Sequence, residues 1–135
     1  HTVTFLERDV PYYAAHRDLH ALPGGGELVL YADWASARAR AARAVAECDV
    51  AVVTSYCPDA AAASALVTAA AARAGGPLAA FYDLDTPVTL ARLAAGEAVD
   101  YVPPGGLADF GLVLSYTCGP ALALLRDRLG ARRVA

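Results

Sequence analysis

Two carboxylates close an apolar run in Ala80-Phe81-Tyr82-Asp83-Leu84-Asp85-Thr86-Pro87, and a helix-forming stretch follows at once. On an extended backbone, side chains at i and i+2 project to the same side. Asp83 and Asp85 at that spacing could chelate a divalent cation. They could also contact a substrate, one of them serving as general base. A structural reading stands beside these, with Asp85 simply favouring the positive end of the helix dipole. Thr86 has the hydroxyl of a good N-cap, and Pro87 suits a first helical position, where its missing N–H costs nothing. The pair therefore belongs at the carboxyl end of a strand, beside a helix N-terminus. In open parallel α/β sheets that is the edge where ligands bind.

Three further clusters fall on the same expected edge. Glu7, in Glu7-Arg8-Asp9 after the first strand, could accept a hydrogen bond from a ribose or sugar hydroxyl; the alternative is a solvated charge cluster. Ser55-Tyr56-Cys57-Pro58-Asp59 follows another strand, with Asp59 placed to cap a helix and Tyr56 and Cys57 placed on a cleft wall. A nucleophilic role for Cys57 would need a nearby base and a lowered thiol pKa, and neither is identifiable. In Ser115-Tyr116-Thr117-Cys118-Gly119-Pro120, small residues meet a helix start, which makes Ser115, Tyr116, Thr117 and Gly119 an anion or hydroxyl site, or only a tight turn into the helix. His16 and His20 could share a helix face, but no third ligand stands near them and zinc is not expected.

The elements that must position these residues alternate. Short apolar runs mark strands at Thr2–Leu6, Leu28–Tyr31, Val50–Thr54, Leu78–Tyr82 and Leu112–Ser115, with one more near Arg133–Ala135. Helical patterns cover Ser36–Glu47, Ala60–Ala74, Pro87–Ala95 and Pro120–Leu129, and Pro11 to Leu19 holds a short helical turn. Continuous apolar strands are those buried on both faces. The expected fold is therefore α/β: a Rossmann-like parallel sheet with helices on both faces, a three-layer α/β/α domain. Gly96 to Gly106 is the longest irregular segment and the one expected to be most mobile. No G-x-G-x-x-G occurs, and Gly24-Gly25-Gly26 precedes a strand, the wrong side for a phosphate cradle.

Composition narrows the function further. A chain of 135 residues suffices for one domain. Its formal net charge of -3 gives no nucleic-acid or anionic-membrane footprint. Every basic side chain besides the histidines is arginine. No apolar run reaches the ~20 residues of a membrane span, and no signal peptide is visible. Three cysteines without zinc or redox spacing point to a reducing cytoplasm. The chain opens at His1 directly before a strand and closes in what looks like the start of another, so both ends read as cuts through a larger protein.

Four segments carry a resemblance. They are His1-Thr2-Val3-Thr4-Phe5-Leu6-Glu7-Arg8-Asp9-Val10-Pro11-Tyr12-Tyr13, Thr54-Ser55-Tyr56-Cys57-Pro58-Asp59, Phe81-Tyr82-Asp83-Leu84-Asp85-Thr86-Pro87 and Leu114-Ser115-Tyr116-Thr117. In this order they resemble bacterial CgeB-like glycosyltransferases, the spore-maturation group of GT-B architecture. The resemblance implies the acceptor-side, N-terminal Rossmann-like domain, lacking the first strand and helix of that domain. If that strand is missing, the strands at Thr2–Leu6 and Val50–Thr54 should not pair with each other. A C-terminal GT-B domain, not contained in these residues, would bind the nucleotide-sugar donor. No metal and no cofactor is implied; the partners are the donor and a small-molecule or glycan acceptor. An inverting enzyme would need a carboxylate to deprotonate the acceptor hydroxyl, and Asp85, then Asp83, occupies the place. A non-catalytic α/β binding or regulatory domain of flavodoxin-like topology is the competing expectation. An NAD-linked fragment is disfavoured by the missing glycine fingerprint.

Overall fold

The computed structural model describes all residues, His1–Ala135. The chain is α/β, with two parallel sheets flanked by helices, compatible with a Rossmann-like three-layer fold. It separates into two compact units, His1–Ala44 and Val45–Ala135.

The first unit is built on β1 (Thr4–Arg8) and β2 (Glu27–Tyr31), paired in parallel with Phe5 opposite Leu28 and Glu7 opposite Leu30. A parallel pair needs a long crossover. Here it carries α1 (Pro11–His16) and one 3-10 turn (Pro23–Gly25). Because α1 stops at His16, His20 lies outside it, and the shared helix face expected for the two histidines does not form. Trp34–Glu47 forms α2, starting two residues earlier than its apolar pattern suggests. The cause is Asp33, whose carboxylate accepts the Ser36 N–H at 2.8 Å while Ser36 Oγ donates to the Asp33 carbonyl at 2.7 Å, closing the first turn.

The second unit holds β3 (Val50–Thr54), β4 (Leu78–Asp83) and β5 (Leu112–Ser115), in the order β3-β4-β5 and all parallel. Register sets Val53 beside Phe81 and Phe81 beside Val113, so one face of the sheet presents Ala51, Val53, Ala79, Phe81 and Val113 together. That face is the core. Buried Ala60 and Val67 of α3 (Ala60–Ala71) and Leu125 and Leu129 of α5 (Pro120–Leu129) pack into the same cluster. The Phe81 and Phe110 rings meet edge-on at 5.5 Å, and both are essentially inaccessible. The expected last strand contracts to a single parallel bridge, Val113 to Val134. Helix α3 ends three residues before its alanine run does. Ala72 and Arg73 turn back onto the Thr68 and Ala70 carbonyls, and Gly75 follows in the left-handed region at φ 72°. β1 pairs with β2 alone and β3 with β4 alone.

α4 (Thr86–Ala94) corrects one reading. Thr86 is its first residue, and Asp85 takes the N-cap position without a side-chain cap bond. The Thr86 hydroxyl instead bonds Ser115 Oγ at 2.7 Å. The segment after α4 is irregular, as expected, yet Val99, Tyr101 and Leu107 anchor it in the interior. No helix is long and apolar enough to cross a membrane.

Candidate functional site

All parallel strands of the second unit end on one edge, and each contributes polar residues there. After β3 come Ser55 and Tyr56. The Ser55 hydroxyl, buried, accepts the Leu84 N–H at 2.9 Å, and its own N–H donates to the Tyr82 carbonyl. Ser55 thus stitches the turn after β3 to the turn after β4. Tyr56 is the one non-glycine residue with positive φ, at 63°. A bulky side chain in that region is uncommon, and strain of this kind gathers at functional sites. The turn leaves the ring 46% exposed, leaning on Tyr101 with centroids 5.0 Å apart. Its hydroxyl donates to Asp85 Oδ2 at 3.4 Å, a long bond.

The two carboxylates occupy different environments. Asp83, the last residue of β4, is wholly buried. Its Oδ1 accepts the Asp85 N–H at 3.2 Å and the Thr89 hydroxyl at 3.0 Å, while Oδ2 has no partner. Asp85 remains partly open to solvent. Thr89, one turn into α4, is also bonded to the Tyr101 hydroxyl at 2.9 Å. The Thr89 hydroxyl also lies 3.2 Å from the Asp85 carbonyl; because both Asp83 and that carbonyl only accept, the one Thr89 proton is spent on them and the Tyr101 O–H donates to Thr89. The result is a closed circuit. Asp83 fixes the Asp85 backbone, Tyr56 holds the Asp85 carboxylate, Tyr101 backs the Tyr56 ring, and Thr89 returns Tyr101 to Asp83.

Beyond β5, Ser115 Oγ donates to the Thr117 carbonyl at 2.7 Å and accepts the Thr117 N–H at 3.0 Å. Having spent its proton there, it accepts from Thr86, so the turns after β4 and β5 are also joined. Gly119 is the N-cap of α5 at φ 73°, and a Cβ added there would meet nothing within 4 Å. Neither α4 nor α5 is capped by a side chain, so first-turn N–H groups at both remain donors for a ligand.

Charge on this edge has one sign. The turns contain Asp59, Asp83 and Asp85 and no Lys, Arg or His. Burial, first, and then the neighbouring Tyr101 and Asp85 raise the Tyr56 phenol above its ordinary pKa, so it keeps its proton and stays a donor. Burial likewise raises the Cys57 thiol. Cys57 packs against the core, and a raised pKa is the opposite of what a nucleophile needs.

The structure therefore brings Tyr56, Asp83, Asp85, Thr86, Ser115 and Thr117 together. Tyr116 stands in solvent, 79% exposed. Glu7 belongs to the first unit, where Arg17 bonds its carboxylate at 2.6 Å and that of Asp9 at 3.0 Å. Asp59 holds the N-cap position of α3 without a side-chain cap bond. Sequence reasoning missed Ser55, Thr89 and Tyr101. Thr89 did leave a signal, a hydroxyl within the inward-facing stripe of α4. No group of three His, Cys, Asp or Glu side chains converges as metal ligands would. A concavity of about 730 Å³ lies between Leu93, Val99, Pro103, Pro104 and Arg128, and none of the strand-end residues lines it. Compared with family models, curated proteins and solved structures, the chain matches none.

Proposed function

We propose that this chain is the acceptor-side domain of a CgeB-like, GT-B glycosyltransferase, working in the bacterial cytoplasm. The observation that carries the reading is the composition of the strand-end edge. It offers carboxylate and hydroxyl acceptors beside uncapped helix N–H donors, and it has no cation. A sugar hydroxyl donates and accepts, so it satisfies both kinds of group. A diphosphate satisfies only the N–H groups and is repelled by the carboxylates. The edge therefore suits a neutral polyhydroxyl acceptor better than a nucleotide.

In this reading the nucleotide-sugar is held by a second, C-terminal domain, and the acceptor lies against Tyr56. Asp85 takes the proton from the acceptor hydroxyl as its oxygen attacks the anomeric carbon. The bond from that carbon to the nucleoside diphosphate breaks, and the diphosphate leaves with the electron pair. Asp83, buried, does not reach the acceptor; it and Tyr56 hold Asp85 in place. If the transfer retains configuration, Asp85 contributes binding only. The competing regulatory reading would use a strand-end aspartate as an accessible acceptor, and Asp83 is sealed from solvent and engaged by Thr89.

The test is a panel of nucleotide-sugars and free glycosides offered to the chain. Glycoside binding that Asp85→Asn weakens, with no turnover of any nucleotide-sugar, is the expected outcome. Turnover by the chain alone, or tight binding of a nucleoside diphosphate weakened by the same substitution, would overturn it.

A further inference from the structure

The concavity of about 730 Å³ beside the segment 97–106 is lined only by residues of the second unit, and its volume is that of a small-molecule site. Its walls are held in place. Tyr101 is buried and bonded to Thr89, and the Arg92 guanidinium donates to the Ala98 carbonyl at 2.7 Å. The Leu107 N–H donates to the Leu129 carbonyl at 2.6 Å, tying the far end of the segment to α5. A ligand therefore meets a preformed surface, with little ordering to oppose binding.

The chemistry of the lining is restrictive. Leu93, Val99, Val102, Pro103 and Leu129 are aliphatic, and no hydroxyl, side-chain amide or aromatic ring joins them. A sugar would leave most of its hydroxyls without partners there, and a nucleobase would find no ring to stack on. Three charged side chains complete the lining. Glu97 is already paired with Arg92. Asp100, on the irregular segment, and Arg128, in the last turn of α5, are both exposed and belong to no ion pair. The last turns of α4 and α5 also reach the concavity through Leu93 and Leu129, and helix carboxyl ends favour a cation, as Asp100 does.

We propose that this concavity binds an aliphatic zwitterion of the amino-acid type, with its ammonium on Asp100, its carboxylate on Arg128 and its side chain against Leu93, Pro103 and Leu129. A guanidinium matches a carboxylate in two parallel bonds. An aliphatic acid would leave Asp100 unmatched, and an aliphatic amine would leave Arg128 so. Only a ligand carrying both charges answers the whole lining. None of the strand-end residues takes part, so the inference stands apart from the sugar-acceptor reading.

Calorimetric titration of the chain tests it with L-leucine and L-leucyl-L-leucine, against isocaproate, which lacks the ammonium, and isoamylamine, which lacks the carboxylate. At least one zwitterion should bind saturably, and each single-charge analogue should bind roughly tenfold or more weakly, the worth of one charge-assisted bond. Asp100→Asn should erase the advantage over isocaproate, and Arg128→Gln the advantage over isoamylamine. Both positions are exposed, so an unchanged urea midpoint shows that each variant keeps its fold. Amide resonances of Val99, Val102 and Leu129 should shift on binding, and those of Ser115 and Thr117 should not. No saturable binding of either zwitterion at millimolar concentration refutes the proposal. So does equal affinity for a single-charge analogue, or binding that both substitutions leave unchanged.

Discussion

Replacing Thr89 by valine isolates one hydroxyl on which the strand-end circuit depends. The substitution keeps the β-branched shape and removes a single oxygen. Thr89 Oγ1 lies 3.0 Å from Asp83 Oδ1 and 2.9 Å from the Tyr101 hydroxyl, and all three residues are buried. Without it, Asp83 keeps only the Asp85 N–H, since Oδ2 already lacks a partner, and the buried Tyr101 O–H loses its acceptor on Thr89. Each buried polar group so orphaned costs roughly 1–3 kcal/mol. The expected loss is therefore about 2–5 kcal/mol, a large share of the ~5–15 kcal/mol that stabilises an ordinary domain. Urea unfolding followed by circular dichroism measures it, with the midpoint falling by roughly 1–3 M at an unchanged slope. Thr68→Val is the control, because the Thr68 hydroxyl bonds only the Ser64 carbonyl within α3. Its loss should stay below about 1 kcal/mol. Combining Thr89→Val with Tyr101→Phe should cost less than the sum of the two, as residues of one network couple. A Thr89→Val loss below about 0.5 kcal/mol, or full additivity with Tyr101→Phe, would refute the circuit.

Other expectations test separate parts of the structure. Gly106→Ala should destabilise by more than about 2 kcal/mol, because φ is 74° there and the new Cβ would meet the Leu129 carbonyl oxygen at 2.6 Å; Gly105→Ala, in open space, should be nearly neutral by the same urea assay. Cys118 is exposed whereas Cys57 and Cys48 are half-buried with thiols raised by burial, so iodoacetamide should label Cys118 first. The raised thiol pKa values also set a sign. The folded chain holds those protons more tightly than the unfolded one, so their contribution is complete below the ordinary thiol pKa and is lost as pH rises through the folded values; unfolding at pH 7 and in mild alkali measures it. Asp85→Asn should bring the Tyr56 phenol part of the way back toward an ordinary tyrosine pKa, read by ultraviolet titration against Tyr56→Phe. An unchanged titration would separate Tyr56 from Asp85.

How much of this was legible in the sequence depends on what each residue answers to. Val50–Thr54 and Leu112–Ser115 are found with their observed bounds because β-branched runs between turn residues signal locally. So is Pro120–Leu129, set by proline at its start and a left-handed Gly130 at its end. The position of Asp83 and Asp85 at a strand end follows from the same local rules. Their unlike environments do not, because burial of Asp83 is decided by Thr89 on the following helix and by Tyr101, eighteen positions away in a proline- and glycine-rich segment. Thr86 looked like a cap because its type and place fit one. Ser115, distant in sequence, was the stronger partner. Glu7 and Asp9 read as an edge cluster, and only the chain path brings Arg17 across both.

The most direct measurement is a titration of the isotope-labelled chain with neutral glycosides, followed by amide nuclear magnetic resonance. Binding at the strand-end edge predicts saturable shifts at Tyr56, Asp85, Thr86, Ser115 and Thr117, reduced by Asp85→Asn. Uridine diphosphate should leave those resonances where they are. Shifts at these residues with the diphosphate and none with any glycoside would contradict the assignment of this edge to a sugar acceptor.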